Sequence, residues 1–211
     1  LHRYKLPAAK AYARANRLDR VIFGGPERRI GVITVGKSYL DVRQALDELG
    51  LTDADAARLG LSLYKVAMPW PLETEGAQAF AEGLDLVMVV EEKRGLIEPQ
   101  LKEALYGIPA DRRPKIIGKQ DETGETLFPA YAELTPGMIA RALADCLKRA
   151  GIDADGQRRL DEALLRYDRL TAASTGNQPP SISRTPYFCS GCPHNTSTKV
   201  PEGSRAGAGI G

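Results

Sequence analysis

The sequence predicts an α/β fold, a sandwich in which helices cover a largely parallel sheet. Three observations predict it. Apolar strand-like runs alternate with helical spacings in a β-α-β-α order over about residues 29–151. The run Ile30-Gly31-Val32-Ile33-Thr34-Val35 lacks polar alternation, as a strand buried on both faces does. The composition, 43% hydrophobic and 27% charged over 211 residues, is enough for one sizeable core.

Taken in order, Ala8 to Leu18 is a weakly helical run rich in Ala and Arg, and Gly24-Gly25-Pro26 breaks it. After the strand at 30–35, Gly36-Lys37-Ser38 turns the chain. Tyr39 to Leu49 then spaces Leu40, Val42, Ala45, Leu46 and Leu49 as a helix closed by Gly50. The second unit has a strand over Leu61–Met68, a turn at Pro69-Trp70-Pro71-Leu72 and a helix over Glu73–Glu82. The third has a strand over Leu84–Glu92 and a helix over Ile97–Leu105, with Pro99 tolerated in the first turn. Pro114 to Gly118 is a short fourth strand. Thr135 suits an N-cap and Pro136 the first helical position of a helix ending at Ala150. Asp153 to Ala173 is a charged helix, expected as a connector on the domain surface, with Leu160, Leu164, Leu165 and Tyr167 on one side. From Gly176 the residues turn to Gly, Pro, Ser, Thr and Asn without apolar period, which reads as linker or tail.

The net charge of +2 gives no field that calls for nucleic acid or an acidic membrane surface. No apolar run approaches the roughly 18 residues of a membrane span. Three cysteines make no disulfide scaffold, so a reducing cytoplasm is the simplest compartment. A start at Leu1 rather than Met and a Gly-rich end lead us to expect a piece of a longer protein.

Gly31 to Ser38 fits the phosphate-loop pattern G-x-x-x-x-G-K-[ST]. That loop must curl so that backbone N–H groups point at phosphates, and it must follow a strand. Here the variable positions are Val-Ile-Thr-Val, which prefer the strand itself, and Glu27-Arg28-Arg29 is no strand to precede it. The match reads as accidental. Lys37 and Ser38 nonetheless sit at the carboxyl end of a parallel strand, where open α/β sheets bind ligands, and a contact to a ligand or neighbouring domain stays open. Glu91-Glu92-Lys93-Arg94 ends another strand at that edge. Paired acids can do acid–base work if one is desolvated, but a solvated strand end with local ion pairs is the simpler expectation. Cys146, between Leu143 and Leu147, reads as a buried small hydrophobe. His2 carries no signal.

Cys189-Ser190-Gly191-Cys192-Pro193-His194 has the most chemical content. Two cysteines three apart can present both sulfurs to one metal, and Gly191 eases the turn. A thioredoxin-type pair needs a strand before and a helix after it, and haem attachment needs His directly after the second Cys. Zinc needs four ligands where this segment offers three. The set is incomplete within the chain: it is inert, or its partners lie elsewhere.

Tyr187-Phe188-Cys189-Ser190-Gly191-Cys192-Pro193-His194-Asn195, followed by Gly209-Ile210-Gly211, resembles the thiamine-diphosphate region of 2-oxoacid:ferredoxin oxidoreductases, above all the indolepyruvate ferredoxin oxidoreductase family. Leu18-Asp19-Arg20 through Ile30–Lys37, and Val89-Val90-Glu91-Glu92-Lys93-Arg94, look like that family's middle domain. The resemblance implies a transketolase C-terminal-like domain at 29–151, a three-layer α/β/α unit with a mostly parallel sheet of about five strands. It implies a connecting segment at 1–28, a helical connector and linker at 152–184, and the truncated start of a thiamine-diphosphate-binding domain at 185–211, poorly ordered without the rest of that domain. It implies that Cys189 and Cys192 ligate a [4Fe–4S] cluster and that His194, Gly209 and Gly211 border the cofactor. The family's Gly-Asp-Gly…Asn-Asn diphosphate signature is absent, and no residue here takes a catalytic role. The implied whole enzyme uses thiamine diphosphate and the cluster to turn an aryl or indolyl pyruvate into an acyl-CoA, with ferredoxin as acceptor and coenzyme A as co-substrate. The expected partners of this chain are neighbouring thiamine-binding domains, with neither nucleic acid nor membrane, and the isolated chain is expected to be inactive and to bind neither cofactor. Two rival readings are a stand-alone nucleotide-binding module built on Gly36, Lys37 and Ser38, and an interaction domain whose cysteines bind zinc with a partner.

Overall fold

The β-branched run forms β2 (Ile30–Val35), the strand with a parallel neighbour on each side. The computed structural model describes residues 1–175, 188–205 and 207. In chain order the elements are α1 (Lys5–Ala15), β1 (Arg20–Phe23), β2, α2 (Lys37–Glu48), α3 (Asp53–Arg58), β3 (Leu61–Val66), α4 (Thr74–Ala81), β4 (Leu86–Val90), α5 (Ile97–Leu105), β5 (Lys115–Ile117), α6 (Pro136–Arg149), α7 (Ala154–Thr175) and α8 (His194–Ser197). They divide into two compact units, Leu1–Thr171 and Ala172–Gly211.

The sheet of the first unit has the order β1-β3-β2-β4-β5. Ile30 pairs with Leu61 on one side and with Leu86 on the other, and the ladders run in step to Val35↔Val66 and Thr34↔Val90. β5 continues the parallel set from Leu86↔Lys115. Only β1 is antiparallel, paired with β3 through a register shift between Val21 and Phe23.

Because side chains alternate across a strand, the shared register gathers like rows. Val32, Leu63, Met88 and Ile117 lie on one face, under α2, α3, α6 and α7. Ile33, Tyr64, Val87 and Val89 lie on the other, under α4 and α5. The result is the expected three-layer α/β/α arrangement with a mostly parallel, five-stranded sheet. No helix among the described residues is long and apolar enough to cross a membrane.

Local chemistry sets the helix starts. The Thr135 hydroxyl accepts from the Met138 amide, with Pro136 at the first turn, as the sequence predicts. Glu73 caps α4 by accepting from the amides of Glu75 and Gly76, and it also accepts from Arg14 of α1. Burial alone would raise its carboxyl, but Arg14 and the two amides outweigh burial and hold it below the ordinary 4.5.

Two elements of the first unit, β1 and α3, escape the sequence reading, as does the four-residue α8 of the second. β1 falls between the helical run expected to Leu18 and the break at Gly24, where no strand is expected. The helix instead ends at Ala15, and Arg17, at φ +50°, turns the chain into the strand. α3 is a six-residue helix whose signal was present: Thr52 and Asp55 form a capping box. The connector expected from 153 packs on the first unit's core through Leu160 and Ala163. Cys146 is buried, as expected. The linker expected from Gly176 to 184 lies outside the described residues.

Gly31 shows how closely the layers approach. A Cβ there would come within 2.5 Å of Leu84 Cδ1 and 2.8 Å of Phe80 Cε1. Gly31→Ala is therefore expected to cost about 1–3 kcal/mol by overpacking, read from urea unfolding. An unchanged midpoint would mean that the sheet and α4 are not packed as described. Glu73 sets the pH behaviour. Its stabilisation is fully present above 4.5 and is lost as pH falls through the depressed folded value. The stability gap between the wild-type chain and Arg14→Met should be widest near neutrality and close in acid, measured by denaturation at stepped pH.

Candidate functional site

The chain order makes the sheet reverse direction between β2 and β4. From β2 the chain moves outward to β3, and from β4 it moves the other way to β5. Ligands of open α/β sheets bind beyond the carboxyl ends of the strands at such a point. The residues singled out in the sequence, Lys37, Ser38, Glu91 and Glu92, do converge there.

Their geometry shows what they do. Gly36 takes φ +56° and lets β2 turn directly into α2, so no loop curls between Gly31 and Lys37. Val32 to Val35 are paired strand residues, and the phosphate-loop match is accidental. The Lys37 ammonium lies between three carboxylates: Asp41 at 2.9 Å, Glu133 at 3.1 Å and Glu92 at 3.5 Å. Its hydrogen bonds to Asp41 and Glu133 hold its ionisation well above the ordinary lysine value. Glu92 also accepts from the Leu134 amide at 3.3 Å. Lys37 thus ties β2, β4 and the segment before α6 together, and its donors are already taken. Thr34 Oγ1 and Ser38 Oγ are buried without a hydrogen-bond partner among the described residues.

Glu91 corrects the expectation of a solvated strand end. It is 3% exposed. Its carboxylate accepts from the amides of Leu96, Ile97 and Glu98 at 2.8, 2.8 and 3.0 Å, the unpaired donors at the start of α5. Lys119, its ionisation lowered by burial, donates to the Glu91 carbonyl at 2.6 Å. Both acids of the pair thus hold local structure, Glu91 at the start of α5 and Glu92 between Lys37 and the Leu134 amide.

In the second unit, Cys189 and Cys192 flank a turn in which the Cys192 amide donates to the Cys189 carbonyl at 3.0 Å and Gly191 takes φ +78°. Cys192 Sγ lies 3.2 Å from His194 Nδ1, and the Asn195 side chain donates to the Cys189 carbonyl at 3.0 Å. The His194 ring stands 5.3 Å from that of Phe188. The turn sets the Cys192 thiol beside His194 and ties in Cys189 through its backbone carbonyl; Gly209 and Gly211 lie outside the described residues. Among the described residues no group of three or more His, Cys, Asp or Glu is arranged to hold a metal. A four-iron cluster takes four thiolates. The sequence has three cysteines, of which Cys146 is buried in the core of the first unit. The two cysteines of the second unit are too few to hold such a cluster by themselves.

A family model described as "Indolepyruvate oxidoreductase domain" matches residues 20–172. The indolepyruvate oxidoreductase subunit IorA of Thermococcus kodakarensis is 29% identical over 177 residues, 83% of this chain and 23% of that protein. The subunit of Pyrococcus abyssi is 28% identical over 81% of this chain and 22% of its own length. That of Methanothermobacter thermautotrophicus is 24% identical over 90% of this chain and 25% of its own. The chain spans about a quarter of the length of the curated relatives it matches. Among solved structures, the 2-oxoglutarate:ferredoxin oxidoreductase of Magnetococcus marinus aligns at 19% identity and a TM-score of 0.42, over 64% of this chain and 21% of that one. A split-gene transketolase aligns at 17% identity and a TM-score of 0.35, over 70% and 42%. At those scores the two likenesses carry no weight for fold or function.

Glu91→Ala should leave three amides at the start of α5 without their acceptor. We expect a loss of about 2 kcal/mol in unfolding free energy and faster hydrogen exchange at residues 96–98. Unchanged exchange there would refute the capping role.

Proposed function

The chain belongs to the indolepyruvate oxidoreductase domain family, and from that premise we propose that it is an internal segment of a 2-oxo acid oxidoreductase. The whole protein then oxidises an aryl or indolyl pyruvate. One 2-oxo acid, one coenzyme A and two oxidised ferredoxins give one acyl-CoA, carbon dioxide, two reduced ferredoxins and a proton. Thiamine diphosphate supplies the electron sink for the carbon–carbon cleavage when bound.

In this reading residues 29–151 are a transketolase C-terminal-like scaffold with no catalytic residue of its own, flanked by connecting segments at 1–28 and 152–184. Its partners are neighbouring thiamine-binding domains, and residues 185–211 open one of them. Cys189 and Cys192 contribute two of the cluster's thiolates, and other parts of the protein contribute the rest. His194, Gly209 and Gly211 border the thiamine diphosphate. The protein is cytoplasmic, and the isolated chain is inactive. The observation that supports this is one of sequence order: the family match ends at residue 172, and the Cys-x-x-Cys-Pro-His string at 189–194 follows soon after. The nucleotide-binding alternative has no comparable support, because its lysine is held by three carboxylates.

The test is the full-length gene product, purified without oxygen. Indolepyruvate or phenylpyruvate with coenzyme A should reduce ferredoxin or a viologen dye, and removal of thiamine diphosphate should stop it. Cys189→Ser and Cys192→Ser should each lose cluster absorbance and reduce turnover at least about a hundredfold. A full iron complement in both variants would overturn the ligand assignment. Failure to oxidise any 2-oxo acid would overturn the function.

A further inference from the structure

We infer that Cys189 and Cys192 form a redox-sensitive modification site, at which a small disulfide such as glutathione disulfide oxidises the two thiols to one intramolecular disulfide. The inference goes beyond the oxidoreductase reading and does not rest on it. It starts from the mismatch at this turn: the pair is too small to hold a four-iron cluster by itself, and both thiols are free. A sulfur bonded to another sulfur has no thiolate to give a metal, so the oxidised pair is closed to ligation.

The turn sets the spacing. The Cys192 amide donates to the Cys189 carbonyl at 3.0 Å, which makes Cys189 to Cys192 a four-residue turn. Such a turn brings its first and last Cα atoms within about 7 Å. Disulfides span Cα separations of about 4.4–6.8 Å. Gly191, in the third position, takes φ +78°, the sign that a type II turn requires there. The Asn195 side chain donates to the Cys189 carbonyl at 3.0 Å, and the Asn195 amide donates to the Cys192 carbonyl at 3.1 Å. Both ends of the turn are therefore fastened to one residue, and little backbone has to be ordered anew when the sulfurs join.

Access separates this pair from the third thiol. Cys189 is exposed, and so are Phe188 and Ser190 on either side of it. Cys192 is half-buried, its sulfur 3.2 Å from His194 Nδ1. Cys146 is 3% exposed in the core of the first unit, and burial pushes its thiol up. Exchange depends on access to the attacking sulfur, so it begins at Cys189. The Cys189 sulfur attacks one sulfur of glutathione disulfide: a mixed disulfide forms, the glutathione S–S bond breaks, and one glutathione leaves with the Cys189 proton. Cys192 then attacks the Cys189 sulfur: the protein S–S bond forms, the mixed bond breaks, and the second glutathione leaves with the Cys192 proton. The cysteine pair loses two electrons and two protons, and glutathione disulfide gains both.

The experiment treats the reduced, metal-free 211-residue chain with glutathione disulfide at neutral pH and follows intact mass, free thiols in denaturant and a proteolytic digest. The expected product is lighter than the reduced chain by two hydrogens and keeps one of its three thiols. Its digest fragment spanning 189–192 carries the internal bond, and dithiothreitol restores all three thiols. Cys146→Ser should oxidise at the wild-type rate. Cys192→Ser should stop with one glutathione bound, and Cys189→Ser should take up glutathione at least about tenfold more slowly. A wild-type chain that accumulates two glutathiones overturns the inference, because its sulfurs then fail to meet. So does a disulfide that involves Cys146, or a chain whose thiols all stay free. Equal glutathione uptake by the two single variants overturns the order of attack.

Discussion

The fold depends on one constraint, the in-step pairing of β2 between two parallel neighbours. A strand hydrogen-bonded on both sides and apolar on both faces leaves no surface for water, so helices must cover it above and below. Parallel pairing also forbids short turns, so each strand needs a crossover helix to return. With β3 on one side of β2 and β4 on the other, those crossovers go in opposite directions. The three layers and the reversal beyond Val35 and Val90 follow from that placement, as does the close approach of Leu84 and Phe80 to Gly31.

What could be read from the sequence was what repeats. β2 and α5 fall on the predicted residues, and α6 starts at its predicted cap, because the apolar period and the cap chemistry of these segments agree. β1 was not legible: its four residues are half exposed, and it is a strand only because β3 offers an open edge. At the carboxyl edge the convergence of Lys37, Ser38, Glu91 and Glu92 was legible, but their roles were not. Glu91 is spent on amides five to seven residues further on, and Lys37 on Glu133, nearly a hundred positions away. Nothing in the sequence says that Arg14 reaches across to Glu73 at the start of α4.

The polar groups of the first unit's sheet edge hold structure. Three carboxylates around an ammonium and an acid capping a helix fix loops against strands. The thiols of the second unit are different: both are free, Cys189 is exposed, and Cys192 lies against His194.

The two rims of the sheet have a further consequence. β1 is four residues long and slips register between Val21 and Phe23. β5 is three residues long and is preceded by Pro114. A long, flat outer strand would be a template on which other chains add strands and aggregate. A short bulged rim on one side and a stub behind a proline on the other offer few backbone groups in a straight line. The most aggregation-prone segments, the β-branched β2 and the all-aliphatic β4, are kept two places from one rim and one place from the other. The strand order that creates the reversal point thereby also guards the chain against edge-to-edge association.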